Sequence, residues 1–168
     1  NLSLHDALPI SYVPNGPAVN SPFKMHISDD RVIVVPGSAW AVNKMLPMRV
    51  MIYEKVDGAY GWRNIHVQSQ SPLIDRYVYD AVDVIMHPND KKHFFVASFA
   101  NGLFEFRDDT FYKWHNHTNS SLETIISNEP FNYIWVDGFK FDKEGNLFMT
   151  NGFVGKYLQM LKPDGSWK

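Results

Sequence analysis

The chain has 168 residues, no cysteine and a formal net charge of −2, from 16 Lys and Arg against 18 Asp and Glu. That length is enough to bury the core of an ordinary domain. The charge balance leaves no cation surplus for a nucleic-acid backbone, and the lack of thiols excludes disulfides, thiolate zinc and a cysteine nucleophile.

Aromatic residues make up 15% of the chain, which favours pleated sheet over helix. The longest apolar stretch, residues 94–100, is far short of the roughly 18 residues of a membrane span. Residues 1–10 contain Leu2-Ser3-Leu4-His5-Asp6-Ala7-Leu8-Pro9-Ile10, which resembles the in-frame translation of a sequencing-adapter oligonucleotide. They are expected to be a non-native leader outside the fold. At the far end, Ser166-Trp167-Lys168 follows a turn signal where a strand should continue, so the chain is expected to be a piece of a longer one.

Three similar units follow one another, at about 20–66, 78–116 and 132–168. In the first, Phe23–Ile27 and Arg31–Val35 read as strands around the turn Ser28-Asp29-Asp30. The loop Gly37–Met48 comes next, then Val50–Glu54, the turn Asp57-Gly58 and Trp62. In the second, Val82–His87 and His93–Ser98 flank Asn89-Asp90, and Gly102–Phe106 leads through Asp108-Asp109 to Trp114. In the third, Asp137–Phe141 and Leu147–Asn151 flank Glu144-Gly145-Asn146, and Tyr157–Leu161 leads through Asp164-Gly165 to Trp167. Asp, Asn and Gly tolerate the left-handed backbone of tight turns. A short helical turn is expected at Ser121–Ser127, where Ser120 and Glu123 stand at capping-box spacing and Pro130 bars extension.

Trp62, Trp114 and Trp167 lie 52 and 53 residues apart, the period of a four-stranded propeller blade. The apolar runs Val32–Val35 and Phe94–Ala97 suit inner strands covered on both faces, and Phe111–His115 is closer to the alternation of an outer strand. The expected fold is all-β: an incomplete β-propeller of about three four-stranded antiparallel blades. Three blades do not close a ring of the usual 4–8.

With the repeats in place, several segments carry a family resemblance. They are Pro14–Phe23, Val34-Val35-Pro36-Gly37, Val50–Glu54, Asn101–Phe106, the Asn119-Ser120-Ser121-Leu122 loop with its weaker counterpart Ser69–Leu73, and Asp137–Asn151. Over residues 11–168 the chain resembles the N-terminal propeller of PorZ-type proteins, components of the type IX secretion system of Bacteroidetes, closely related to two-component-regulator propellers. The resemblance implies a seven-bladed ring of which this chain is part. It also implies a non-catalytic recognition and scaffold role at the outer membrane, cell surface or periplasm, with other secretion-complex proteins and lipopolysaccharide or glycan as partners. Two departures stand out: no glycine run follows Pro36-Gly37, and Phe148 stands where related propellers carry Trp.

No catalytic, cofactor-binding or metal-binding residue is assigned. His115 and His117 would share a face if extended, with His87 and His93 in the same unit, but a zinc site needs three or four converging ligands, so exposed loop histidines are expected. Asp142–Asn146 reads as a hairpin turn rather than a calcium loop. No Gly-x-Ser-x-Gly elbow is present. The loop Gly37–Met48 carries Trp40, Met45 and Met48, which are expected as partner contacts. Two other readings of the whole stay open: a periplasmic ligand-sensing propeller of a hybrid two-component regulator, and a calcium-dependent gluconolactonase-like hydrolase with Asp137 or Asn151 as metal ligand.

Overall fold

A computed structural model describes residues 15–37, 45–69 and 76–168. The adapter-like leader and Trp40 lie outside the described residues. Eleven strands form three separate antiparallel sheets. The first holds β1 (Lys24–Ser28), β2 (Arg31–Val35), β3 (Arg49–Val56) and β4 (Ala59–His66), in that order. The second holds β5 (Ala81–His87), β6 (Asp90–Ser98), β7 (Gly102–Arg107) and β8 (Thr110–His115). The third holds β9 (Val136–Phe141), β10 (Leu147–Asn151) and β11 (Leu158–Leu161).

Each sheet is a meander, and the inner strands β1, β5 and β9 pack on one another in succession. The sheets therefore fan outward from a shared line of inner strands, as propeller blades do. The acidic turns set the hairpins as their chemistry predicts. Asp57 (φ 50°) with Gly58 (φ 86°), and Asp108 (φ 48°) with Asp109 (φ 60°), take the paired left-handed conformation of two-residue hairpin loops.

The core is two seams, and the middle strands of the second sheet serve both. Phe94 and Val96 of β6 join Phe104 and Phe106 of β7 against Ile33, Val50 and Ile52 of the first sheet. The alternate residues Phe95, Ala97 and Leu103 face Val136, Leu147 and Met149 of the third. Period-two alternation with both faces apolar is what a strand between two neighbours requires.

Two expectations need correction. The third sheet has three strands; in place of a fourth, Trp167 makes an isolated bridge to Leu161, and Met160 and Lys168 exchange backbone hydrogen bonds at 2.9 Å. No helix forms at 121–127. Ser120 Oγ donates to the Asn116 carbonyl at 2.5 Å, and the Glu123 N–H donates to Asn151 Oδ1 at 2.6 Å, so the two capping-box residues are committed elsewhere. Among the described residues the helical element is a 3-10 turn at Val67–Ser69.

Candidate functional site: a polar cleft in the second seam

At the rim of each seam the apolar packing gives way to a buried polar cluster, and both clusters are built on the same register. Tyr53 pairs with Trp62 across β3 and β4, and Phe104 pairs with Trp114 across β7 and β8. The next residues on those strands are Glu54 with Arg63 and Glu105 with His115. Side chains alternate along a strand, so these acids and bases face the following sheet.

In the first seam, Glu54 forms an ion pair with Arg31 (3.2 Å) and accepts a hydrogen bond from Arg63 (3.1 Å). Asp109, in the β7–β8 turn of the next sheet, reaches back to both guanidiniums, pairing with Arg31 and lying 2.6 Å from Arg63. Arg31 is 3% exposed, so this four-residue network is a buried tie between sheets.

The second seam has the same acid and different cations. Glu105, 3% exposed, accepts from His115 Nε2 at 2.8 Å, His93 Nε2 at 3.0 Å and Arg107 Nε at 2.9 Å, with Arg107 Nη2 in ion-pair contact at 2.8 Å. Burial pushes its carboxyl up, but the hydrogen bonds from His115, His93 and Arg107 outweigh that and hold it well below the ordinary carboxylate range. A carboxylate only accepts, so both imidazoles present Nε2–H to it. His115 Nδ1 is then the remaining ring nitrogen, buried and without a partner, and Trp167 Nε1 beside it is in the same state. His87 stacks on His93 with centroids 5.2 Å apart and planes 9° from parallel. Burial lowers the His87 pKa; His93 lowers it further, and Asp90 opposes. Close approach fixes one backbone position here: Gly102 has φ 86°, and a Cβ on it would sit 2.7 Å from the His115 carbonyl oxygen.

Between this cluster and the third sheet lies a cleft of about 710 Å³, lined among others by His87, Glu105, Arg107, Lys113, Leu161 and Lys162. Hairpin length explains the opening. In the second sheet the ladder runs three pairs beyond Phe104–Trp114 before turning. In the third it turns at Lys162–Gly165, one pair beyond Leu161–Trp167, closed by a 2.9 Å bond from the Lys162 N–H to the Ser166 carbonyl. At about 3.4 Å per residue the third hairpin falls about 7 Å short. No acid from it reaches the Glu105 cluster.

Sequence reasoning missed this site. His115 was expected on an exposed loop and is 1% exposed at the end of β8; His117, past the strand end, packs edge-on against Phe131 at 4.4 Å. The readable signal was the pair of dipeptides Tyr53-Glu54 and Phe104-Glu105, 51 residues apart, matched by Trp62-Arg63 and Trp114-His115.

Of the expected contact residues, Met45 is exposed with φ 45°. Met48 is fully buried in the first seam, which corrects its assignment to a contact surface, because its side chain is part of the packing against Val50 and Val78. Asn151 is fully buried and committed to the Glu123 N–H and the Trp135 carbonyl (3.1 Å), while Asp137 is exposed on β9. Asp142 closes its own turn, accepting from Asn146 N–H at 2.8 Å and Nδ2 at 2.7 Å, as a hairpin turn requires. Among the described residues no group of three or more His, Asp or Glu is arranged to hold a metal ion, and no helix is long and apolar enough to cross a membrane.

No protein-family model matches the sequence, and no curated protein matches it. Among solved structures the chain is similar to PorZ of Porphyromonas gingivalis, an essential bacterial surface component of that organism's type IX secretion system. The sequences are 30% identical and the TM-score is 0.77. The match covers 96% of this chain and 21% of the PorZ chain, so this chain spans about a fifth of the length of the protein it matches. With its three radial antiparallel sheets and this neighbour, the chain has a PorZ-like β-propeller fold.

Proposed function

We propose that this chain belongs to a non-catalytic recognition and scaffold propeller that serves type IX secretion at the bacterial cell surface. The observation that carries this reading is the structural match to PorZ along nearly the whole chain at 30% identity. The chemistry of the site agrees with a structural role for its most buried acid. Glu105 accepts three hydrogen bonds, from His93, His115 and Arg107 Nε, and has Arg107 Nη2 in ion-pair contact, which leaves it ionised and saturated rather than poised to move a proton. Its partners are then other proteins of the secretion complex, with lipopolysaccharide or another glycan as the surface ligand.

The test is deletion of the gene in its native host, followed by fractionation of secreted cargo. Cargo retained inside the outer membrane, and released to the surface on complementation, is the expected result. Normal surface cargo in the deletion strain would sink the reading.

A further inference from the structure

The first seam provides a template for what the second lacks. There, two carboxylates share the cationic side chains: Glu54 from within the sheet, and Asp109 delivered by the long hairpin of the next sheet. In the second seam the inner acid, Glu105, is in place, but the shorter hairpin's own acid, Asp164, lines the cleft without pairing with the donors around Glu105, and the 710 Å³ cleft lies where Asp109 stands in the first seam. The face has also gained a cation. Lys113 stands directly across from Glu105 in the ladder, where the first sheet has Gly61 across from Glu54. Lys113 and Lys162 both line the cleft; among the described residues neither makes a direct ion pair, and the charge of Lys162 acts on Asp164 in its own turn.

A second, independent sign lies deeper. His115, 1% exposed on the cleft wall, keeps Nδ1 without a partner, beside the equally unpartnered Trp167 Nε1. Buried polar nitrogens of this kind normally meet a partner.

We infer that the cleft between the second and third sheets is a carboxylate-binding site, in which a ligand supplies the group that Asp109 supplies in the first seam. Lys113, Lys162 and the outward edge of Arg107 hold the carboxylate, and His115, with Trp167 edge-on against it, forms part of the cleft wall. Three further acids, Asp90, Asp108 and Asp164, line the same cleft. Asp90 and Asp164 are turned to their own loops, accepting from the Lys92 N–H (3.0 Å) and the Ser166 N–H (2.9 Å). Their charge limits the site to a single carboxylate and excludes polyanions. This inference does not depend on the secretion role.

The test is an NMR titration of the full-length protein with acetate, and separately with a blocked Gly-Asp-Gly peptide, at constant ionic strength. The readouts are the Trp167 indole N–H and the His115 ring signals. Saturable shifts of both are expected, weakened about tenfold in Lys113→Gln. They should be lost when the third hairpin is lengthened by two residue pairs with Asp at the turn position matching Asp109. Tighter binding of the peptide identifies a protein side chain as the source, and equal binding a free organic acid; both support the site. Absence of saturable shifts up to about 100 mM, where a Kd would leave only about 1.4 kcal/mol of binding, overturns it. Shifts that persist unchanged in both Lys113→Gln and the lengthened hairpin also overturn it.

Discussion

Glu54 and Glu105 occupy one register position in successive sheets, each following the aromatic residue that pairs with its sheet's outer tryptophan. Each is surrounded by donors, yet the donors differ: two guanidiniums around Glu54, two imidazoles and a guanidinium around Glu105. The repeat therefore preserves the acid and changes the base.

Removal of the Glu105 charge tests how far the cluster depends on it. Glu105→Gln keeps the shape but cannot accept from both imidazoles and Arg107 at once, which leaves a buried His115 donor unmet. The expected loss is about 1–3 kcal/mol of unfolding free energy. Arg107 is about half-exposed and re-solvates, which keeps the cost below that of a fully buried ion pair. Denaturant unfolding of the full-length protein checks this, and a variant as stable as the parent would show that the cluster contributes nothing to the seam.

The tie across the first seam should be costlier to cut. Asp109 is at φ 60°, a conformation asparagine tolerates, so Asp109→Asn removes charge with little backbone strain. It leaves the Arg31 guanidinium, whose side chain is 4% exposed, with Glu54 alone. Breaking a buried pair by removing one partner costs about 3–5 kcal/mol. The retained Glu54 contact places the expectation at the lower end. Arg31→Met combined with Asp109→Asn should recover much of that loss, because no buried charge is then left unmatched. If the double variant is less stable than either single one, the network does not work this way.

The fold was legible because two independent signals agreed. The tryptophan spacing set the period, and an Asp, Asn or Gly stood at each hairpin turn that closes at positive φ, as at Asp29, Asp57, Asp108 and Gly145. The site was not legible, for a physical reason. Glu105 lies inside the apolar run Gly102–Phe106, and its partners His93 and His115 come from two other strands; they meet only once β6, β7 and β8 are in register. The cleft is subtler still. It exists because Gly165 stands two positions before Trp167 where Asp109 stands five before Trp114, a difference that matters only when the two hairpins are compared in space. The absent helix at 121–127 shows the reverse case, in which a correct capping pattern lost to a local bond from Ser120 to the Asn116 carbonyl and a tertiary one from the Glu123 N–H to Asn151.

Stability should fall on acidification, starting near pH 6.5. Burial is the first cause lowering the pKa values of His26, His66, His87 and His117; neighbouring Lys140, Arg49, His93 and Arg76 respectively lower them further, and Asp83 and Asp90 oppose the shift at His26 and His87. A histidine with a lowered folded pKa takes up its proton more readily when unfolded, where its value is about 6.5. Its contribution is thus fully present above that pH and is lost as the pH falls below it. Glu105 extends the trend to lower pH: its folded value is depressed, so its contribution holds above the ordinary carboxylate range and disappears as the acid form is forced. The denaturation midpoint should therefore be lower at pH 5 than at pH 7.5 and fall further at pH 4. In His87→Gln the drop between pH 7.5 and pH 5 should shrink, because an imidazole with a lowered folded pKa, packed against His93, is then gone. A midpoint that holds steady or rises between pH 7.5 and pH 5 would refute the sign assigned to these histidines.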